Sequence, residues 1–199
     1  MDFKSLNIDS TLQPDNMIRL YASGAFPMDD GNGNISWYLP SKRVIIPLDN
    51  FNIPRSAKKL IVKNNFEIKF DTDYLSVIKG CANREETWIS EKLIFAYKRL
   101  HKRGFVHSVE TYFEDRLVGG LYGITFRGAF FGESMFSQIP GASKAALISL
   151  IKHLKERNFI LLDVQYLTDH LKMFGAVEIE WDEYYNLLMK SYLSNTTFI

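Results

Sequence analysis

The spacing of apolar and polar residues predicts six β-strands in the last two thirds of the chain. Apolar residues alternate with polar ones at 66–70 and 177–181, which is the period of a strand with one buried face. Near-continuous apolar runs bounded by turn residues predict four more strands, at 106–113, 116–126, 129–136 and 159–165. Shorter strands are expected earlier, at 35–38 and 44–46.

Apolar residues three and four positions apart predict amphipathic helices between these strands. Most begin at residues typical of helix starts, which are Pro14, Asp71 or Thr72, Ser90, Ser143, Thr168 and Asp182. A basic helical turn is expected at 55–63, and residues 1–13 are expected to be weakly structured. We place a small N-terminal domain at 1–54 and a second domain at 55–199.

From residue 66 the elements follow the order β-α-α-β-β-β-α-β-α-β, with a final helix. This order resembles the acetyltransferase-like fold called GNAT, which implies an α/β (α+β) protein with a GNAT-like acyltransferase domain. In that fold the strands before and after the third helix splay apart, and substrates enter the gap. The corresponding strands here are 129–136 and 159–165. A fold does not by itself establish a function.

Three polar side chains lie within these two apolar strands. Asp163 and Gln165 are two residues apart and should face the same side of a strand, and Glu133 lies inside the apolar run 130–136. A buried carboxylate or amide costs free energy unless it has a partner. One such residue is as often structural as functional, but two such strands in one small domain favour a site.

Composition limits the class of protein. The chain has 199 residues, of which 46% are hydrophobic and 24% charged, which excludes wholesale disorder. No apolar run approaches the ~20 residues of a membrane helix, and the first ten residues contain no signal-peptide core. Cys81 is the only cysteine and the four histidines lack the spacing of zinc ligands, so neither an intrachain disulfide nor a metal site is expected. We therefore expect a soluble cytoplasmic protein.

The net charge of +1 conceals an uneven distribution. Residues 55–63 contain four basic residues and no acid, and residues 92–103 contain five basic residues and no acid. Residues 163–183 contain six acids and one lysine. Solvated helix faces would explain either basic run alone, whereas both runs on one surface would suit a phosphate backbone. The acidic segment would suit a cationic substrate.

A series of short motifs occurs in order from residue 17 to about residue 176. Among them are Tyr21-x-x-Gly24-x-Phe26-Pro27, Trp37-x-x-Pro40-x-x-Arg43, Thr87-Trp88-Ile89, Gly132-Glu133-Ser134-Met135-Phe136-Ser137, Ala142-Ser143-Lys144 and Asp163-x-Gln165. Each motif alone is weak, but nine in this order closely resemble the bacterial leucyl/phenylalanyl-tRNA–protein transferases. Met28, Tyr38 and Gly141 depart from the residues usual in that family.

The resemblance implies an aminoacyltransferase without a cofactor, acting in N-end rule tagging of proteins for degradation. Its substrates would be tRNA charged with leucine, phenylalanine or, as a further candidate, methionine, and proteins that begin with arginine or lysine. Residues that match the family's amine site are Asp163, Gln165 and Glu133. Residues that match its adenosine site are Trp37 and Trp88. Its amino-acid pocket corresponds to Leu121, Phe130, Met135, Leu147 and Leu162, and its tRNA-phosphate site to Arg55, Lys58, Lys59 and Lys63.

The expected chemistry is aminolysis of an activated ester, in which positioning supplies much of the acceleration. Asp163 is expected to orient Gln165 and to receive positive charge, while the Gln165 amide bonds both the amine and the carbonyl. Glu133 is expected to supply negative potential for the basic first residue of the acceptor. No covalent enzyme intermediate is needed, so Cys81 is not expected to be a nucleophile.

Two other functions are compatible with the sequence. Residues 138–143 resemble the pyrophosphate loop of coenzyme A-dependent GNAT acyltransferases, and helix N-termini bind phosphates. That interpretation leaves the basic runs and the pair Trp37 and Trp88 without a role. A non-catalytic descendant that binds tRNA or protein N-termini would account for the departures from the family's usual residues.

Overall fold

The computed structural model describes residues 8–199 and has the mixed α/β fold expected from the sequence. The strands are β1 Phe26–Asp29, β2 Ile35–Tyr38, β3 Lys42–Ile45, β4 Glu67–Phe70, β5 Val106–Phe113, β6 Arg116–Phe126, β7 Ala129–Ser137, β8 Leu161–Gln165 and β9 Val177–Glu180. The helices are α1 Ile8–Thr11, α2 Pro14–Ala22, α3 Arg55–Asn64, α4 Tyr74–Ala82, α5 Glu91–His101, α6 Ala142–Glu156, α7 Asp169–Lys172 and α8 Trp181–Tyr192. Helix α1 occupies part of the segment 1–13, which was expected to be weakly structured. Residues 12 and 13 lie outside any helix or strand, and residues 1–7 lie outside the described residues. From residue 8 onward, no helix combines the length and the apolar character needed to cross a membrane.

Seven strands form one mixed sheet in the order β4-β5-β6-β7-β8-β3-β9, and β1 and β2 form a separate antiparallel pair. Strands β7 and β8 are parallel, and α6 supplies the crossover connection that a parallel pair requires. The other neighbouring strands of this sheet are antiparallel. Strand β3 precedes residue 55 and lies inside this sheet between β8 and β9. The division into domains at residue 54 stays a prediction.

The sheet is buried on both faces, because successive residues of its central strands belong to two apolar clusters. Phe130 and Leu121 belong to a cluster that contains the apolar face of α6. Phe131 and Tyr122, each one residue further on, belong to a cluster formed with α2, α4, α5 and α8. Polar side chains between β7 and β8 therefore lie deep in the protein.

Three expected helix starts, Pro14, Ser90 and Thr168, are confirmed, and the other three are shifted. Strand β1 was not expected from the sequence. Helix α6 begins at Ala142, after Gly141 with a φ of 98°, so Ser143 lies in its first turn and not at the cap. Helix α4 is capped by the Asp73 side chain, which accepts a hydrogen bond from a backbone N–H of the first turn. Asp71, an expected cap, instead accepts a hydrogen bond from the backbone of β5. Short polar residues cap equally well at several adjacent positions, so tertiary contacts decide which one does.

Candidate active site

Strands β7 and β8 pair over a short stretch and then separate. Their last parallel pair is Phe131 with Asp163, although β7 continues to Ser137. Beyond this pair each strand contains one extra residue relative to its outer neighbour, Glu133 in β7 and Val164 in β8. Such bulges bend a strand and redirect a side chain. The gap expected between these strands is therefore present, with Glu133 at a bulge beside it.

Asp163 is fully buried, and protein groups engage both of its carboxylate oxygens. Arg43 forms an ion pair with Oδ2, and the Tyr184 hydroxyl donates to the same oxygen at 2.7 Å. The backbone N–H of Gln165 donates to Oδ1 at 2.9 Å. This carboxylate is therefore fixed in place, and it holds the backbone of Gln165.

Arg43 is fully buried and is absent from the residues that the sequence indicated for the site. Its guanidinium lies 4.9 Å from the ring centroid of Phe26 and 4.7 Å from that of Tyr184. It also donates to the carbonyl of Gly24. A guanidinium stays charged in proteins and needs a partner when buried. The signal that could have identified it is an arginine directly before the apolar run 44–46.

Glu133 is surrounded by neutral donors. Its Oε1 accepts from the Tyr21 hydroxyl at 3.0 Å and from Nε2 of Gln165 at 3.3 Å, and its Oε2 accepts from the Tyr97 hydroxyl at 2.8 Å. Burial raises the pKa of Glu133 from 4.5 to about 7, although the two tyrosine hydrogen bonds oppose the rise. Glu133 can therefore gain and lose a proton near neutral pH. Neither tyrosine was assigned to the site from the sequence, although Tyr21 begins one of the family's motifs, because both are buried on helices as core residues would be.

Gln165 ends β8 in an unusual backbone conformation. Its φ is 65°, in the left-handed region, and the N–H of Tyr166 donates to the carbonyl of Val164 at 2.8 Å. These features define a γ-turn with Gln165 at its centre, which is a strained form for a residue with a side chain. The bond from its N–H to Asp163 stabilises the turn, and the turn brings the side-chain amide to Glu133.

An apolar cavity of about 90 Å³ lies between β7, β8 and α6. Because one water occupies ~30 Å³ of liquid, the cavity is comparable in size to a single side chain. The carboxylate-bearing residue Glu133 is among its lining residues, so the cavity adjoins the polar cluster. Four of the five residues expected in an amino-acid pocket line it, namely Leu121, Met135, Leu147 and Leu162. Further lining comes from Tyr122, Gly132, Ser134, Leu150, Val164 and Leu171.

Phe130, the fifth residue expected in this pocket, is fully buried behind the cavity and does not line it. Its ring packs against Gly123, where an added Cβ would lie 2.3 Å from a ring atom. On another side its ring centroid is 5.6 Å from that of Phe198 near the C-terminus. Phe130 therefore supports the structure around the cavity from within the core.

Trp37 and Trp88 are half-buried and pack against the same apolar cluster. The ring of Trp37 meets that of Tyr21 edge to face, with centroids 5.4 Å apart. Tyr21 also donates to Glu133, so Tyr21 links Trp37 to the polar cluster of Glu133 and Gln165. Trp88 connects the segment before α5 to β1, because its carbonyl accepts the N–H of Asp29 at 3.3 Å.

The two basic runs differ in what surrounds them. Arg99 of α5 donates to Gln13, which precedes α2, and Arg103, which follows α5, donates to Asp15 in the first turn of α2. Lys92 of α5 donates to the turn after β1 at 2.8 Å. These side chains attach the N-terminal segment to α5. The basic residues of α3 are all exposed and take part in none of the ion pairs found among residues 8–199. They are Arg55, Lys58, Lys59 and Lys63.

Two family models match the chain. The one described as leucyl/phenylalanyl-tRNA protein transferase matches residues 45–189, and the one described as the N-terminal domain of that protein matches residues 10–41.

Three relatives named leucyl/phenylalanyl-tRNA–protein transferase are similar over most of the chain. The one from Salinibacter ruber is 46% identical, over 84% of this chain and 75% of its own length. The relative from Herpetosiphon aurantiacus is 46% identical over 94% of this chain and 98% of its own length. The relative from Rubrobacter xylanophilus is 44% identical over 90% of this chain and 95% of its own length. Among solved structures, L-PGS from Bacillus licheniformis matches 64% of this chain and 47% of its own, with 13% identity and a TM-score of 0.44, too distant to bear on fold or activity.

Proposed function

The chain belongs to the leucyl/phenylalanyl-tRNA–protein transferase family, and we propose that it transfers leucine or phenylalanine from charged tRNA to proteins beginning with arginine or lysine. The bond formed is to the N-terminal α-amine of the acceptor. The observation that carries this proposal is the meeting of Glu133 and Gln165 beside an apolar cavity at the strand gap. A carboxylate and an amide there suit an amine, and the cavity suits an apolar side chain.

The reaction is aminolysis of the ester that joins the amino acid to the tRNA. The acceptor's α-amine has a pKa near ~8 and must lose one proton before it can attack. Glu133 takes that proton, because its pKa of about 7 is close to that of the amine. As the C–N bond forms and the C–O bond breaks, the second proton on nitrogen passes to the leaving 3′-oxygen of the tRNA.

Gln165 and Asp163 have different parts in this mechanism. The Gln165 amide can accept from the amine and donate to the ester carbonyl, because an amide has both kinds of group. Asp163 is a positioning residue, since it holds the turn at Gln165 while Arg43 and Tyr184 occupy its other oxygen. The positive charge that Asp163 balances is that of Arg43.

The amino-acid side chain occupies the apolar cavity. Leucine, phenylalanine and methionine are apolar, whereas a charged side chain would be buried there without a partner. The cavity is small for a phenyl ring, and Met135 at its wall is a flexible side chain that can move to admit one. The terminal adenosine lies against Trp37 and Trp88, and the exposed basic face of α3 contacts tRNA phosphates.

Several further properties accompany this proposal. The strand gap after β7 and β8 supports a GNAT-like fold for residues 55–199. A small N-terminal domain at 1–54 stays a prediction, and β3 of that segment pairs with β8 and β9 in the main sheet. Since charged tRNA is a cytoplasmic substrate, we place the reaction in the cytoplasm.

The direct test is incubation of the protein with labelled leucyl-tRNA and two acceptor proteins that differ only in their first residue. Label should appear on the acceptor that begins with arginine and not on the one that begins with glutamate. Aspartyl-tRNA should be a poor donor, because its carboxylate would enter an apolar cavity. Binding of leucyl-tRNA without transfer would instead indicate a non-catalytic module. Stabilisation by acetyl-coenzyme A but not by an aminoacyl-adenosine analogue would indicate a coenzyme A-dependent acyltransferase.

A further inference from the structure

An open cleft of about 640 Å³ lies at the end of β7, next to the apolar cavity. Its volume is within the ~300–1,000 Å³ typical of ligand sites. Three of its lining residues can carry positive charge, Arg84, Lys144 and His170, and none of its lining residues is acidic. They come from three parts of the chain, the segment after α4, the first turn of α6 and α7. This arrangement suits an anionic ligand.

The cleft connects the cavity to the basic helix α3. Met135 lines both the cavity and the cleft. On α6, Leu147 lines the cavity and Lys144 lines the cleft, which places them about 4.5 Å apart along the helix axis. On the opposite side Leu60 of α3 lines the cleft, and Asn64 of α3 donates to the carbonyl of Pro140 at 3.2 Å. A chain that leaves the cavity through the cleft therefore reaches α3.

The positive groups of the cleft have no acidic partner. Lys144 and Arg84 take part in none of the ion pairs formed by residues 8–199. Arg84 is held against β7 by donating to Ser134 Oγ at 3.0 Å and to the carbonyl of Met135, and its other N–H groups remain for a ligand. His170 and Lys144 line the same cleft, and burial together with the charge of Lys144 lowers the pKa of His170. An anion bound there would favour the protonated imidazole.

We propose that this cleft binds phosphodiester groups in the single-stranded 3′ end of the charged tRNA, with Lys144 and Arg84 as the phosphate contacts. The inference rests on the proposed function, because it assumes that the aminoacyl group occupies the cavity. Arg84 and Trp88 belong to the same connection between α4 and α5, so this segment contributes one residue to the cleft and one to the adenosine site of the proposed function. The strand would then pass Lys144 and continue to the exposed basic face of α3.

The test compares two donors with two lysine variants. The donors are 3′-leucyl-adenosine and the leucyl trinucleotide CCA, which adds two cytidylates and their phosphodiesters. The variants are Lys144→Gln and Lys152→Gln, where Lys152 is an exposed lysine further along the same helix. In the unmodified protein the trinucleotide should have the lower KM. Lys144→Gln should reduce that advantage about tenfold, the effect of one charged hydrogen bond, and Lys152→Gln should preserve it.

Salt dependence and direct binding supply two further readouts. Loss of one phosphate contact should lower the slope of log affinity against log salt by about 0.7 for the uncharged CCA trinucleotide. The proposal is overturned if both lysine variants keep the full trinucleotide advantage, or if Lys144→Gln weakens leucyl-adenosine as much as the trinucleotide. It is also overturned if coenzyme A binds through Lys144 and the trinucleotide does not compete. If the unmodified protein transfers leucine from neither donor yet binds CCA through Lys144, the proposed function fails and the cleft assignment stands.

Discussion

Two buried carboxylates border the same strand gap and differ in the charge of their partners. Asp163 is paired with the guanidinium of Arg43, whereas Glu133 accepts hydrogen bonds from two tyrosine hydroxyls and an amide. A cation compensates the charge of a buried carboxylate, but neutral donors do so only in part. The pKa of Glu133 is accordingly raised to about 7. Two acids at similar depth thereby differ in role, since Asp163 is held in an ion pair and Glu133 can accept a proton.

The difference also separates structure from chemistry. Asp163 acts on Gln165 through a backbone hydrogen bond, so its loss would disturb the shape of the site. Glu133 lies at a bulge beside the cavity, so its loss would remove a proton acceptor while most of the surrounding packing remains. Variants of Asp163 and Glu133 should therefore differ from the unmodified protein in different measured properties.

Glu133→Gln tests the chemical half of this comparison and should have the largest effect. Glutamine keeps the size of the side chain and can bond both tyrosines, since tyrosine hydroxyls donate and accept. Without a proton acceptor, the single-turnover transfer rate should fall by roughly 10²–10⁴-fold while affinity for leucyl-tRNA changes little. The matched control is Glu110→Gln, a fully buried glutamate in β5 that bonds to Ser108. A rate within a few-fold of the unmodified protein for Glu133→Gln would contradict the assignment.

Arg43→Met tests the structural half. The substitution leaves Asp163 buried without a cation, which should lower the free energy of unfolding by about 3–5 kcal/mol in urea titrations. In a protein that already carries Asp163→Asn, the same change should cost much less, because no buried charge is left unpaired. An equal loss in both backgrounds would show that Arg43 stabilises the fold through packing on Phe26 and Tyr184 alone.

Much of the fold could be predicted from the sequence because its signals are local. Alternation and apolar runs predict the strands, and polar residues inside two of them indicated Glu133, Asp163 and Gln165. Arg43 stands in one of the family's motifs, but its partner could not be assigned in this way, since the carboxylate is 120 positions away in sequence. Its role depends on β3 joining the sheet next to β8, which no local pattern reveals.

The partners of Glu133 show a second limit. Tyr21 lies on α2 and Tyr97 on α5, where an apolar helix face predicts packing and gives no reason to expect a carboxylate. The bulge at Glu133 is a property of the register between β6 and β7, so the sequence of β7 alone does not predict it. The redirected side chain and its two hydrogen-bond donors therefore depend on strand register and helix packing, which a local sequence pattern does not show.

The dependence of stability on pH should test the assignment of Glu133. The pKa of Glu133 is raised from 4.5 to about 7, so between these pH values the folded protein holds a proton that the unfolded chain has lost. The free energy of unfolding should therefore fall as pH rises through this range, by about 3 kcal/mol for this group. Glu133→Gln removes that loss and should melt higher than the unmodified protein at pH 8, with the advantage absent at pH 4.5. A lower melting temperature at pH 8 would place Glu133 with Asp163 among the structural anions.

The smallest expected effect is also the most specific one. The hydrogen bond from Tyr97 lowers the pKa of Glu133, so Tyr97→Phe should raise it. Because the unprotonated form accepts the proton, the midpoint near pH 7 in the pH–rate profile should move up by about one unit. Tyr184→Phe removes a hydroxyl of the same kind, but that hydroxyl donates to Asp163, so the midpoint should stay in place. Titration of the acceptor's own amine gives a second midpoint near pH ~8 in the pH–rate profile. Every variant shares this midpoint, so it serves as the internal reference. Equal shifts of the midpoint in both variants would mean that the division of roles between the two carboxylates is wrong.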